Sequence, residues 1–232
     1  MKRLFQRVLS ASVVLGLFVA TACAHDDSSL FIRSVQAPDS CTYKNDPTQL
    51  SLLGGTVDAA FLASYRPVVL VGNQLLAQQK NESFRTETSR ISLEGATVTL
   101  TDTQGAELTS FTSLTSGFVD PGSGSSPGWG LASVTLIDPK TIDALRTQIP
   151  KGGTKKLVAH FKVFGHTLGG NSIESNEAQF PIDVCYGCLV FRPADALCSQ
   201  LADVGSVKAP CVAGQDEPID CRLCYPRDVC TN

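Results

Sequence analysis

Nine cysteines punctuate this 232-residue chain, and their distribution constrains the fold more than any other feature. Cys23 and Cys41 stand near the N-terminus, whereas Cys185, Cys188, Cys198, Cys211, Cys221, Cys224 and Cys230 crowd into residues 185–232. Seven thiols cannot pair off among themselves. If all seven are oxidised, one bridge must leave the tail, so distant parts of the chain have to meet. A segment this short cannot bury a useful core alone, and exported modules of such cysteine density are normally stapled by disulfides.

Upstream of the C-terminal cysteine cluster, from Leu30 to Val184, the chain has β texture: Val, Ile, Leu, Thr and Phe interrupted by Gly, Pro, Asn and Asp. In residues 89–102, Ile91 and Leu93 share one parity while Ala96, Val98 and Leu100 share the other. Gly95 sits where the phase slips, which predicts a bulge or tight bend. Residues 131–138 and 156–164 alternate as well, with Leu157, Ala159, Phe161 and Val163 on one face. VVLV (68–71) is continuously apolar and reads as a central strand covered on both sides. Further strands are expected near 30–35, 56–62, 107–114 and 178–184. One helix is predicted there, capped by Asp138, opened by Pro139 and buried through Ile142 and Leu145 up to Gln148, before Pro150 and Gly152-Gly153 end it. This pattern predicts a mainly β fold: an immunoglobulin-like two-sheet sandwich with one short crossover helix and a C-terminal disulfide-rich module. A further short helix is expected at residues 193–201.

The N-terminus carries an address. Lys2, Arg3 and Arg7 precede the apolar run from Val8 to Ala20, which is too short to span a bilayer as a permanent helix. Ala20-Thr21-Ala22-Cys23 follows and resembles the lipobox of bacterial lipoproteins, in which a signal peptidase cuts before a diacylglycerol-bearing cysteine. The resemblance implies a signal peptide over 1–22, lipidation of Cys23 by palmitate-type acyl chains, and a lipidated tether over 23–29. Ala24 behind it implies the outer membrane of a bacterial cell envelope. Ala22-Cys23-Ala24 also fits an A-x-A site, so plain secretion is the alternative. Both readings place the remaining chain where disulfides persist. Residues 30–184 would then form the β-sandwich domain and 185–232 the cysteine-rich module; this mature part resembles no characterised family.

With Cys23 removed, Cys41 is the one cysteine left outside the tail. Complete oxidation would join it to that cluster, and Cys185, at the end of the last sandwich strand, is the favoured partner. Structural disulfides lead the readings of Cys41, Cys185, Cys188, Cys198, Cys211, Cys221, Cys224 and Cys230. A zinc site from Cys185, Cys188, Cys221 and Cys224 competes, because two C-x-x-C knuckles can supply a tetrahedron of thiolates. A thioredoxin-like dithiol at Cys185 and Cys188 is disfavoured, since Cys185 ends a strand instead of opening a helix. A partly free or intermolecular thiol completes the alternatives.

Other candidates are sparse. Gly124-Ser125-Ser126-Pro127-Gly128 matches G-x-S-x-G in letters only, because Pro127 has no N–H to donate to an oxyanion. His160 and His166 read as solvated or locally bonded residues, His166 within a turn. Asp216, Glu217 and Asp220 form an acidic turn without the regular spacing of calcium loops. Asn81-Glu82-Ser83 is a sequon discounted in a bacterial lipoprotein. Trp129 is the candidate ligand contact, although the preferred reading is that its ring seals the core edge.

The net charge is −3 for the whole chain and becomes about −6 once the basic leader leaves, which argues against nucleic-acid partners. No catalytic residue, cofactor or metal is assigned. The expected function is that of a lipid-anchored, non-enzymatic binding or scaffolding module, with an envelope protein or polysaccharide as partner. The alternatives are an envelope enzyme or accessory subunit in cell-wall or thiol chemistry, and a metal-binding protein using the tail cysteines.

Overall fold

A computed structural model describes residues 28–78, 87–192, 207–223 and 230. The leader with its lipobox, the sequon at Asn81, the helix expected at 193–201, Cys198 and Cys224 lie outside the described residues.

The protein is mainly β. In chain order the strands are β1 (Leu30–Gln36), β2 (Ser51–Leu52), β3 (Gly55–Asp58), β4 (Val68–Asn73), β5 (Ile91–Thr101), β6 (Glu107–Val119) and β7 (Gly128–Ser133). Helix α1 (Pro139–Arg146) precedes β8 (Thr154–Thr167), β9 (Ser172–Glu174), β10 (Ala178–Cys185), β11 (Val190–Phe191) and β12 (Ile219–Asp220). One sheet has the order β2-β1-β4-β7; a larger one runs β3-β10-β8-β5-β6, with β9 added to β8; β11 and β12 form a small third sheet.

A single buried cluster draws on both large sheets. Val35, Val69, Val71 and Ala132 come from the first, and Val98, Leu100, Phe161, Val163 and Ile182 from the second. Along β8 every second residue from Leu157 to Val163 is buried, as its alternation requires. The central position of β4, between β1 and β7, agrees with its sequence. Val69, Leu70 and Val71 are each 0% exposed, although Leu70 points away from the common cluster.

Gly95 marks a bulge: the register of β5 shifts between Leu93 and Gly95 against both β6 and β8. A Cβ on Gly95 would stand 2.6 Å from Phe164 Cζ and 2.9 Å from the Ser113 carbonyl oxygen. Against β8 Glu94 is the additional residue, whereas against β6 the additional residue lies on β6 between Leu114 and Gly117; the buried parity of β5 changes here as the sequence indicates.

Helix α1 forms as read. The Asp138 carboxylate accepts the Thr141 N–H at 3.2 Å, Pro139 lies in the first turn, and Ile142 and Leu145 are the buried residues. Several boundaries differ. β3 stops at Asp58 because the chain turns there, with Phe61 and Leu62 N–H groups donating to the Asp58 carbonyl. β6 runs on to Val119, β7 begins at Gly128, and His166 belongs to β8 instead of a turn.

Candidate functional site

Among the described residues, a compact group of chemically capable side chains lies where β3 and β10 end side by side. These strands are parallel neighbours, and Asp58 is the register partner of Cys185. Both are 0% exposed. Beyond Cys185 the chain enters the loop Tyr186-Gly187-Cys188, in which Gly187 has φ of 80° and so occupies the left-handed region that glycine tolerates. Asp58 organises this loop. Its Oδ1 accepts the N–H groups of Gly187 at 2.8 Å and Ala60 at 3.0 Å, and its Oδ2 accepts that of Leu189 at 3.3 Å. Cys185 is disulfide-bonded to Cys188, with the Cα atoms 5.8 Å apart. One oxygen of Asp58 and the two sulfurs lie within 4.8 Å of one another.

The C-terminal segment docks on the other side of β3. Asp58 N–H donates to the Gly214 carbonyl at 2.8 Å, and the Asp216 N–H donates to the Thr56 carbonyl at 2.9 Å. Asp216 Oδ1 takes the Thr56 N–H at 2.7 Å, while the buried Tyr65 hydroxyl donates to both Asp216 oxygens at 3.0 and 3.1 Å. Gln215 completes the clamp through the backbone of Arg66, accepting its N–H and donating to its carbonyl. Burial pushes the Asp216 carboxyl up from its ordinary range, against the lowering effect of the Thr56 and Tyr65 donors. Burial, followed by the adjoining Asp216 charge, likewise pushes the Tyr65 phenol up.

The acidic turn is therefore dispersed among separate partners. Asp216 holds Tyr65 and Thr56, Glu217 accepts the Cys211 N–H, and Asp220 faces the Arg222 guanidinium at 2.6 Å. Arg222 pulls the Asp220 carboxyl below its usual value.

The long bridge does reach the tail, but its partner is Cys211 and not Cys185: the Cα atoms of Cys41 and Cys211 are 5.1 Å apart, across 170 positions of sequence. Cys185 is already closed on Cys188, and the docking of residues 214–216 on β3 carries Cys211 to the loop that holds Cys41. A further described bridge joins Cys221 to Cys230. These pairings take up three of the four thiols considered for zinc, Cys185 with Cys188 and Cys221 with Cys230, while Cys224 lies outside the described residues.

The remaining candidates lie elsewhere. Trp129 is a residue of β7, half-buried, and meets Phe31 edge-on with ring centroids 5.6 Å apart. By alternation it shares the face of Gly72 and Leu70, opposite the common core, so its ring does not seal the core edge. The G-x-S-x-G match is a tight hairpin in which Ser123 and Ser126 exchange backbone hydrogen bonds. His160 and His166 meet Glu177 and Glu94 at 3.1 and 2.8 Å.

A groove of about 390 Å³ opens between the β1–β2 edge of one sheet and β8–β10 of the other. Ile32, Leu52, Leu53 and Phe180 line it together with Arg33 and Gln49, so the lining is mixed apolar and polar. Leu53 at its rim is 91% exposed and the neighbouring Leu50 is 76% exposed. Sequence reading missed this groove, because no pattern in residues 47–53 indicates that a two-residue strand will frame the gap between two sheets. Among the described residues no helix is long and apolar enough to cross a membrane.

No protein-family model and no curated protein matches the chain. Among solved structures it is similar to the solution structure of a protein described as late embryogenesis abundant (LEA), at 12% identity and a TM-score of 0.31, covering 79% of this chain and 87% of that one.

Proposed function

We propose that the protein is a lipid-anchored component of a bacterial envelope, held through Cys23 at the outer membrane, that acts as a non-enzymatic binding module. In this reading the two large sheets make an immunoglobulin-like sandwich, and the groove at its edge, with apolar and polar lining side by side, receives an extended segment of another envelope protein. The supporting observation is that Leu52 and the exposed Leu53 line the groove, with the exposed Leu50 close by in sequence. Single exposed leucines are ordinary, whereas neighbouring ones at the rim of a cleft have the chemistry of a protein contact. Polysaccharide, with its hydroxyl-rich surface, covers exposed leucines less well than the apolar side chains of a peptide do.

The anchor and the groove are tested separately. Alkyne fatty-acid labelling should mark the wild type and not Cys23→Ser; equal labelling would remove the anchor from the reading. A photo-crosslinking residue at position 53 should capture a discrete envelope protein in intact cells. The same residue at Leu114, which is 78% exposed on β6, serves as the control. Equal capture at both positions, or polysaccharide alone at position 53, would overturn the groove assignment.

A further inference from the structure

Cys185 and Cys188 behave differently from a staple in three respects. Their bridge spans only 3 positions of sequence, against 170 for Cys41–Cys211, so it removes little freedom from the unfolded chain. The loop around it is held by other bonds. Gly187 and Leu189 donate to Asp58, Ala59 N–H donates to the Cys185 carbonyl, and Tyr186 exchanges N–H bonds with Gly152 and Gly153. None of these hydrogen bonds involves either sulfur. Finally, the two sulfurs are presented unequally: Cys185 is buried and Cys188 is exposed.

We propose that Cys185–Cys188 is a thiol–disulfide exchange couple serving a dithiol of another exported protein, and that Asp58 is its positioning residue. The inference is independent of the groove and of the lipid anchor. A thiolate of the partner attacks the exposed Cys188 sulfur. The Cys185–Cys188 bond breaks and its electron pair leaves with the Cys185 sulfur. The partner's second thiolate then attacks its own sulfur in the mixed disulfide, which releases Cys188. The partner dithiol is oxidised by two electrons to a disulfide and the Cys185/Cys188 pair is reduced by two. The two thiol protons of the partner end on Cys185 and Cys188. The same steps in reverse reduce a partner disulfide.

Asp58 holds Cys188 above Cys185 through the Gly187 and Leu189 N–H groups and sets a carboxylate within 4.8 Å of both sulfurs. Among the described residues no helix N-terminus stands here to stabilise a thiolate and make the couple a strong oxidant; instead Asp58 fixes the loop so that the two sulfurs stay close, which favours the closed disulfide and places the couple toward the reducing side.

The full-length oxidised protein, equilibrated in glutathione buffers and acid-trapped for mass spectrometry, should show Cys185 and Cys188 reduced as a pair while Cys41–Cys211 stays closed. Circular dichroism should remain native. Unfolding on reduction of this pair, or its reduction only together with Cys41–Cys211, would overturn the proposal. Cys185→Ser should form a mixed disulfide with glutathione at Cys188, whereas Cys188→Ser should not do so at the buried Cys185; equal trapping would also overturn it. Asp58→Asn should shift the equilibrium with glutathione toward the reduced pair by about tenfold, equivalent to about 30 mV. An unchanged equilibrium in a folded variant would refute the role of Asp58. Zinc binding by the reduced pair and Asp58 that blocks reoxidation would reassign the site to a metal.

Discussion

The ring of Phe31 on β1 lies across Gly72 on β4, where a Cβ would stand 2.2 Å from Phe31 Cζ. The two residues are register partners, and Trp129 on β7 is the partner of Gly72 from the other side. The aromatic pair thus roofs a glycine, replacing the side-chain cover that Gly72 lacks. Gly72→Ala should displace the Phe31 ring and destabilise the protein by about 1–3 kcal/mol, as overpacking does. A thermal melt equal to wild type would show that the ring moves aside freely.

Cys41 and Cys211 close the longest described disulfide loop. In the chain-entropy treatment a loop of this length contributes about 5 kcal/mol, against about 2 kcal/mol for the short loop at Cys185–Cys188. The double variant Cys41→Ser/Cys211→Ser should therefore melt well below Cys185→Ser/Cys188→Ser. Non-reducing peptide mapping of the wild type should recover the Cys41 peptide linked to that of Cys211. A link to the Cys185 peptide would contradict the arrangement.

The raised Asp216 carboxyl gives a pH signature. The folded protein holds that proton more tightly than the unfolded chain, so the stability from this group is full below the ordinary pKa of 3.8 and falls as pH climbs through the higher folded value. Asp216→Asn abolishes the titration. Its melting temperature minus that of wild type should therefore increase with pH across the window just above 3.8. A difference that decreases with pH would mean that the site favours the ionised carboxylate.

Val69 and Leu70 face opposite sides of β4 and are both fully buried. Val69→Asp and Leu70→Asp should each prevent folding, because neither side offers a partner for a new charge among apolar groups. Lys162→Asp is different in kind. It sets a like charge against Glu174, now 3.0 Å from Lys162 on a half-exposed face, and should cost less than about 1 kcal/mol. Circular dichroism of the three variants checks the contrast; a folded Leu70→Asp would show that its side of the sheet is open.

What could be read from sequence was local. Asp138 with Pro139 marks the start of α1, and the parity change around Gly95 marks the bulge, because capping and alternation act over a few residues. The unbroken apolar run at 68–71 likewise reports its own surroundings. The pairing of β3 with β10 left no trace: parallel neighbours share no turn, so nothing in residues 55–58 announces residues 182–185. With that pairing hidden, Asp58 could not be placed beside Cys185. The partner of Cys41 was narrowed to the tail by parity alone, and choosing Cys211 required knowing that Gln215 and Asp216 dock on β3. Trp129 carries no strand signal in sequence, because a Gly- and Ser-rich run precedes it and the strand that contains it begins only one residue earlier.

The β3–β10 pairing also sets an order of events. Gly55 to Asp58 emerge early in synthesis, yet their strand partners Ile182 to Cys185 follow more than a hundred residues later. Contacts this distant form late, since a long loop must close first. Until residue 185 has arrived the larger sheet lacks β10, the strand that joins β3 to β8, and Asp58 has no loop to hold. A chain threaded from its N-terminus through a narrow passage would thus remain unfinished, and pliable, until most of it had come through the other side.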